Sequence, residues 1–234
     1  MKADVLITGV AGFIGSHLCL RLIADGFSVI GIDDFSHGKA TWLESLNGNP
    51  DFRLLTGDAG DSALLNAIEA ETAVHLASQK IPRYSSGYET LVENYRVNQA
   101  IVNFCIQKQT RLLYASSSDV YGKNPIVPYT EESDLIPGSP AIKRWAYAAS
   151  KLHGEHLIQA AGRECGLLFQ IMRFFGCYGP HQAEGWWGGP QSVFIEKALV
   201  GEPMSIHGDG NQTRSFIYID DLVEGIATKD GKLQ

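Results

Sequence analysis

The stretch ITGVAGFIGSHL, residues 7–18, decides the fold class of this chain. An apolar, strand-like run ends in it, and a helix-like segment begins directly after Gly9, Gly12 and Gly15. The spacing is GxxGxxG, not the commoner GxGxxG, but the physics is similar. Glycines allow a tight turn and let the backbone approach a pyrophosphate at the amino terminus of a helix. We therefore predict a dinucleotide-binding turn; a merely tight strand-to-helix turn is the alternative.

Around this stretch, short apolar runs alternate with amphipathic segments. The runs are DVLITG, SVIGIDD, FRLLTGD, AVHLAS, RLLYASS and LLFQIMRFF, and the helix candidates are residues 13–25, 62–70, 88–108 and 146–164. This alternation predicts βαβ units, and hence an α/β, Rossmann-type doubly wound parallel sheet with helices on both faces. Burial of both faces also explains why the strands are almost continuously apolar.

The character of the sequence changes after Met172. GCYGPHQAEGWWGGPQ is typical of a long loop, and a helix candidate at residues 192–200 and the strand-like MSIHG and RSFIYIDD follow it. We predict a dinucleotide-binding Rossmann domain in residues 1–172, to which later segments can return. Residues 173–234 are predicted to form part of a smaller, discontinuous substrate-binding domain.

Composition excludes several classes of function. The 234 residues carry a net charge of −7 and no long lysine or arginine run, which argues against a nucleic-acid or anionic-membrane surface. No apolar run approaches the ~18 residues of a membrane span, and no signal peptide is visible. The four cysteines are far apart without a CxxC pair, so we predict free thiols, no metal site and a cytoplasmic location.

Two aspartates follow predicted strands. Asp33 could accept hydrogen bonds from both ribose hydroxyls and would repel a 2′-phosphate, which favours NAD over NADP. Asp58, in TGD, could bind an adenine amino group or simply cap a loop.

Tyr147 and Lys151 lie four residues apart in WAYAASKLHGEHL, so on a helix they share a face. A free tyrosine has a pKa of about 10 and is no base at neutral pH, but a nearby ammonium favours the phenolate. We predict a tyrosine whose pKa Lys151 lowers; an exposed surface pair is the alternative. YASSSDVYG adds strand-end serines that could hold a substrate hydroxyl or form an ordinary turn.

TGVAGFIGSHL, DDFSHGK, HLAS, SSSDVYG, YAASK, MRFFGCYGP and GDGNQTRSFIYIDD together resemble the extended short-chain dehydrogenase/reductase family. More narrowly, they resemble its nucleotide-sugar epimerases, dehydratases and decarboxylases, over nearly the whole chain. The resemblance implies tightly held NAD and a nucleotide-diphosphate sugar, with a UDP-sugar favoured, as substrate. Relatives commonly form homodimers and continue for several elements beyond YIDDLVEGI, so part of the substrate domain is expected beyond Gln234.

The resemblance also assigns residues. It implies that the catalytic residues are Ser117, Tyr147 and Lys151. The cofactor contacts are predicted to be Gly9, Gly12, Phe13, Ile14, Gly15, Asp33, Asp58, Ala77, Tyr147 and Lys151. The substrate contacts are predicted to be Asn94, Ser117, Ser118, Asp119, Gln191 and Arg214.

One departure affects every branch of the family. The substrate-binding asparagine of the RxxNxYGP pattern is Gly176 here. Its contact could be replaced from HQAEGWWGGPQSVF, where Trp186, Trp187 and Gln191 could line the sugar or base. Core packing, or a role as a loop lid, is the alternative for the two tryptophans.

The residues after Ser117 bear on the reaction. Family dehydratases carry an Asp-Glu pair where this chain has Ser118 and Asp119, and serine is too weak an acid to replace that aspartic acid. Decarboxylases typically have Thr-Ser-Glu at these positions, and Ser117–Asp119 follows that pattern with shorter side chains. The stretches QTRSF and RWAYAASK also favour a decarboxylase. Epimerases need only the three catalytic residues. We predict an NAD-dependent 4-epimerase acting through a transient 4-keto sugar. A UDP-glucuronate decarboxylase is the alternative, and an NDP-sugar 4,6-dehydratase and a non-catalytic NAD-binding regulator are less favoured.

Overall fold

The computed structural model describes residues 1–80, 86–206 and 208–227. Six parallel strands form the central sheet in the order β3-β2-β1-β4-β5-β6. They are β1 Lys2–Thr8, β2 Val29–Asp33, β3 Phe52–Thr56, β4 Glu69–His75, β5 Arg111–Ser117 and β6 Phe169–Phe174. The strand order reverses between β1 and β4, and ligands of such sheets bind outside the carboxyl ends of the strands at that point. The predicted doubly wound sheet is confirmed.

Four helices flank the sheet: α1 Phe13–Ala24, α2 Ser62–Asn66, α3 Gly87–Lys108 and α4 Trp145–Cys165, with 3₁₀ turns at Ala40–Leu46 and Ser118–Tyr121. Local chemistry sets their ends. Asp61 caps α2 by accepting from two backbone N–H groups, and Ser86 caps α3 through Glu89 N–H. The predicted helix over 62–70 is too long, because Glu69 already pairs with Lys2 as the start of β4.

The core lies on both faces of the sheet, as the alternation of side chains along a strand requires. On one face, Ile7 of β1 belongs to a buried cluster with Leu18 and Leu22 of α1. On the other face, Leu6 belongs to a cluster with Ile101 of α3 and Ile158 of α4. Each cluster holds one side of β1 against helices, so the carboxyl end of this strand is rigidly placed.

After the sheet, the chain forms β7 Gly176–Tyr178, α5 Gly185–Gly188, α6 Pro190–Leu199, β8 Phe216–Tyr218 and α7 Ile219–Ile226. The strands β7 and β8 pair in parallel as a separate two-stranded sheet. The buried residues of α7 join the cluster that contains α1, so this helix returns to the Rossmann core.

Two local predictions for this region are wrong. The predicted long loop contains β7 and α5, whose few residues give no periodic signal. MSIHG does not form a strand over Met204–Ile206, where no neighbouring strand pairs with it and both named residues are exposed; His207 lies outside the described residues. The described part of the chain contains no helix long and apolar enough to cross a membrane. All four cysteines are free thiols.

Candidate active site

The glycine turn between β1 and α1 is shaped by close backbone contacts. Gly9 has a left-handed φ of +74°, and a Cβ there would lie 2.9 Å from the backbone nitrogen of Ala77. A Cβ at Gly15 would collide with the carbonyl oxygen of Gly9. No side chain caps α1 at Gly12, so the N–H groups of its first turn, Phe13–Gly15, have no partner within the helix. This cradle fits the pyrophosphate of a dinucleotide.

Asp33 is held rigidly at the end of β2. Its Oδ2 accepts from Ala11 N–H at 2.8 Å and its Oδ1 from Phe35 N–H at 2.9 Å. Burial raises the pKa of this carboxyl, and the two backbone hydrogen bonds oppose that shift. The carboxylate lines the cleft beside the glycine turn, and each oxygen keeps a second lone pair that a ribose hydroxyl could use.

Asp58 also lines the cleft, but both of its oxygens already have partners. Its Oδ2 pairs with Arg96 at 2.5 Å, and its Oδ1 accepts from Gly60 N–H at 2.6 Å. The loop-capping role considered for this aspartate is therefore realised, and its contact with adenine stays a prediction.

A buried polar chain runs beneath the turn. The Thr8 hydroxyl accepts from Ala77 N–H at 3.3 Å and lies 2.6 Å from Nδ1 of His75. His75 Nε2 lies 3.1 Å from Asn98 Oδ1, and the Asn98 amide donates to Tyr114 at 3.3 Å. Burial lowers the pKa of His75 to about 3, so the imidazole is neutral. These hydrogen bonds fix Ala77 against the glycine turn.

Tyr147 and Lys151 face the same cleft from α4. The Lys151 ammonium nitrogen lies 5.7 Å from the centroid of the Tyr147 ring and donates to the carbonyl of Ala115 at 2.8 Å. Burial lowers the pKa of Lys151 to about 7. Burial also raises the pKa of Tyr147, as does the charge of Asp119, while a hydrogen bond with Ser117 lowers it. The structure does not show the predicted lowering of the Tyr147 pKa, because burial of the phenol and the charge of Asp119 outweigh the hydrogen bond with Ser117.

The serines lie where β5 ends. Ser117 caps the short 3₁₀ turn by accepting from Asp119 N–H at 3.1 Å, and Ser118 lines the cleft beside it. Asp119 is accessible to solvent within the cleft, yet burial by the surrounding walls raises its pKa against the opposing charges of Arg144 and Arg214. Arg144 is a cleft residue that sequence reasoning did not single out, although it lies only three positions before Tyr147.

Asn94 is buried and its amide is used within the protein. It donates to the carbonyl of Gln79 and to Ser150 Oγ, both at 2.9 Å, and accepts from Gln79 N–H at 2.7 Å. It thereby ties the segment after β4 to α4. Its predicted substrate contact stays a prediction, and its positioning role was missed because the partners are distant in sequence.

The structure explains the glycine at position 176. Gly176 pairs with Phe216 across β7 and β8, and a Cβ at Gly176 would lie 2.7 Å from the Phe216 ring. The ring thus occupies the space that a larger side chain would enter. Gln191 donates to the carbonyls of Gly188 and Cys177 at 3.0 and 3.2 Å, which holds this region together. Its substrate contact, like that of Arg214 on the cleft wall, stays a prediction.

Residues 179–189 cross the cofactor end of the cleft. The Trp187 ring lies 4.4 Å from that of His37, and the His181 ring stacks on Trp42 at 4.9 Å with an interplanar angle of 4°. His181 Nδ1 also lies 3.1 Å from Ser16 Oγ, at the start of α1. Trp186 and Trp187 both line the cleft, and their contact with the sugar or base, like the role in a loop lid, stays a prediction.

A partly buried ion pair supports the catalytic end from behind. Glu155 of α4 forms two hydrogen bonds with Arg173 of β6, at 2.8 and 3.0 Å, and accepts from Ser116 at 2.5 Å. Arg173 also donates to Tyr121 at 3.3 Å. These contacts join β5, β6 and α4 next to Ser117. The sequence shows only a charged residue within an apolar strand, and it does not indicate the partner of that residue.

The fold and the glycine turn define a dinucleotide-binding α/β enzyme. The chain belongs to the NAD dependent epimerase/dehydratase family, whose profile matches residues 5–228. NAD is the cofactor of this family, and the glycine turn with Asp33 fits it. The described residues contain no cluster of three side chains that could hold a metal ion.

Curated relatives carry more than one activity. The chain is 35% identical to the UDP-N-acetyl-alpha-D-glucosaminuronate decarboxylase of Bacillus cytotoxicus, over 100% of this chain and 73% of that protein. It is 32% identical to the UDP-glucose 4-epimerase of Mycolicibacterium smegmatis, over 97% and 72%. It is 34% identical to UDP-glucuronic acid decarboxylase 1 of Arabidopsis thaliana, over 96% of this chain and 51% of that protein.

Solved structures agree on the fold. The Thermotoga maritima UDP-glucose 4-epimerase with UDP-glucose has a TM-score of 0.84 at 29% identity, over 96% of this chain and 72% of that one. The Bacillus cereus UDP-glucuronic acid 4-epimerase, in complex with UDP-glucuronic acid and NAD, has a TM-score of 0.83 at 31% identity, over 100% and 75%. These matches leave the particular reaction to be proposed.

Proposed function

We propose that this chain is an NAD-dependent nucleotide-sugar 4-epimerase that acts on a UDP-sugar through a transient 4-keto sugar. The observation that carries the proposal is the meeting of Ser117, Tyr147 and Lys151 in one cleft with the glycine turn. Relatives named as 4-epimerases support it.

The chain's own residues supply the proton chemistry. The glycine turn and Asp33 would hold NAD, which would supply the acceptor and later the donor for the C4 hydride, and the positive charge of its oxidised ring. Tyr147 takes the proton of the sugar C4 hydroxyl and later gives it back, acting first as general base and then as general acid. The Ser117 hydroxyl hydrogen-bonds Tyr147 and the reacting oxygen. Once the keto sugar has rotated in the cleft, return of the hydride to the other face of C4, with return of the proton from Tyr147 to the oxygen, gives the C4 epimer.

Lys151 opposes the effect of burial on this proton transfer. Burial destabilises the phenolate, so the base forms only where positive charge compensates for the lost hydration. Lys151 lies close enough to supply part of that charge and has a pKa of about 7 in the protein, so its protonation responds to small changes at neutral pH. The carbonyl of Ala115 orients its ammonium group.

A UDP-glucuronate decarboxylase is the second candidate. Asp119 lies near two arginines, Arg144 and Arg214, and such a cluster could hold a sugar acid group. Relatives named as decarboxylases support this reading. Dehydration is disfavoured because Ser118 cannot act as the required acid. A non-catalytic regulator would be expected to have lost Tyr147 or Lys151, and both are present.

The deciding experiment incubates the purified chain with UDP-glucose, UDP-N-acetylglucosamine, UDP-glucuronate and dTDP-glucose, without added cofactor, and identifies the products by NMR. We expect a C4 epimer of at least one UDP-sugar. Loss of carbon dioxide from UDP-glucuronate would support the decarboxylase instead. A 4-keto-6-deoxy product, or no product with any sugar after NAD is added, would overturn the epimerase proposal. Protein carrying Tyr147→Phe is the control.

We also propose that the protein is a cytoplasmic homodimer. The free thiols suit a reducing compartment, and pairing through two helices per subunit is common in the family that the sequence resembles. Sedimentation at micromolar concentration distinguishes a dimer from a monomer.

A further inference from the structure

Arg144 lies at the amino-terminal end of α4, three residues before Tyr147. Its backbone is already helical, with φ −57° and ψ −27°. Side chains three positions apart on a helix are neighbours on one face, about 5–6 Å apart at Cβ. Arg144 and Tyr147 line the same cleft. The guanidinium group therefore belongs to the reacting end of the cleft.

Arg144 has no carboxylate partner among the described residues. The guanidinium groups of Arg21, Arg96 and Arg173 each form ion pairs with Asp or Glu side chains, and Arg144 forms none. The Arg144 guanidinium group lies over the Trp145 ring, with 4.7 Å between the guanidinium carbon and the ring centroid. Stacking against an aromatic ring orients a guanidinium group and leaves its N–H edge open to a planar anion.

The charges around Tyr147 favour an anionic ligand. Arg144 and Arg214 both lie near enough to Asp119 to oppose the effect of burial on its carboxyl group. This end of the cleft thus holds two guanidinium groups against one carboxyl. A local excess of positive charge attracts an anionic group. The excess positive charge lies beside the residue that meets the reacting sugar.

We propose that Arg144 binds the C6 carboxylate of a nucleotide-linked uronic acid, so that the substrates are acidic sugar nucleotides. The inference rests on the proposed function, in which Tyr147 meets the C4 hydroxyl. C6 is attached to C5, the neighbour of C4, so a sugar held at Tyr147 presents its C6 group to the adjacent side chain on α4. A carboxylate matches the planar fork of a guanidinium group with two parallel hydrogen bonds. A neutral hydroxymethyl group cannot.

Binding is measured by titration calorimetry with NAD present, in a Tyr147→Phe background that does not consume the substrate. UDP-glucuronate and UDP-glucose differ only at C6, so their affinities isolate the group in question. Arg144→Gln should weaken UDP-glucuronate about ten- to hundredfold, the effect of losing one charge-assisted pair. UDP-glucose should change by less than about twofold. Arg144→Lys should fall between, because it keeps the charge but not the fork.

Arg163→Gln is the matched control, since Arg163 is exposed in the last turn of the same helix. It should leave both affinities unchanged, and the NAD affinity of every variant should equal that of the background protein. Equal weakening of both sugars by Arg144→Gln would show that Arg144 contacts a group they share, and would overturn the proposal. A background protein that prefers UDP-glucose would also overturn it. Failure of the proposed function is distinct: the parent chain would then bind UDP-glucuronate through Arg144 but form no product.

Discussion

The phenol of Tyr147 and the ammonium of Lys151 respond to burial in opposite ways that have one physical cause. Each side chain loses hydration in the cleft, and this loss destabilises the charged form of each group. The pKa of the tyrosine rises, and that of the lysine falls to about 7. The spacing of the two residues was readable in the sequence, whereas the strength of this desolvation was not.

Replacing Tyr147 by Phe removes the proton acceptor and little else. We expect turnover of the best sugar to fall about a hundredfold or more, the usual contribution of a general base, with NAD affinity unchanged. Turnover is followed by NMR and NAD binding by calorimetry. Tyr95→Phe, on α3 with its ring packed against His153, removes a phenol elsewhere and should retain activity. Full activity of the Tyr147→Phe protein would refute the assigned role.

The charge of Asp33 is predicted to select NAD over NADP. Asp33→Asn keeps the shape of the side chain but removes the charge that would repel a 2′-phosphate. We expect the ratio of NADP to NAD dissociation constants to fall about tenfold, measured by calorimetry. Asp34→Asn is the control, because Asp34 is the neighbouring carboxylate and accepts hydrogen bonds from the backbone N–H and the hydroxyl of Ser36. An unchanged ratio in Asp33→Asn counts against the assignment.

Contacts between β5, β6 and α4 hold the catalytic end of the cleft in place. The ion pair of Glu155 and Arg173 is 7% and 19% exposed at its side chains and also holds Ser116, the neighbour of Ser117. Sequence reasoning located all three elements from their apolar patterns. It did not find the ion pair, because its two residues are joined by tertiary packing.

Glu155→Ala should therefore destabilise the protein by about 3 kcal/mol, since it leaves the partly buried charge of Arg173 without a carboxylate partner. The measurement is the free energy of unfolding in urea. Glu224→Ala, which removes a half-exposed partner of Arg21, should cost much less. If both variants lost the same stability, the Glu155 pair would be no more than a surface contact.

The buried, neutral His75 makes the free energy of unfolding of the whole protein depend on pH. His75 is fully buried with a pKa of about 3, so it takes up a proton in the unfolded chain well before it does in the folded protein. As the pH falls below about 6.5, the unfolded state gains protons first and stability declines. The nearby charge of Lys151 strengthens this effect.

We expect the free energy of unfolding to fall between pH 7 and pH 5, with a contribution from His75 of at most about 1.4 kcal/mol per pH unit. Urea titrations at several pH values measure the slope. His75→Gln should reduce it, and His156→Gln, exposed on α4, should not. Equal slopes in His75→Gln and the parent would exclude the buried imidazole as the cause.

The fold class, the glycine turn and the shared face of Tyr147 and Lys151 could all be predicted from the amino-acid sequence. These features depend on the order of apolar runs and on spacings of a few residues, and local chemistry sets them. Three features could not be predicted in this way: which side chains lose their hydration, the Phe216 ring in the space beside Gly176, and the contact between His37 and Trp187 across the cleft. Burial and contacts between distant residues arise from packing, which no local pattern encodes.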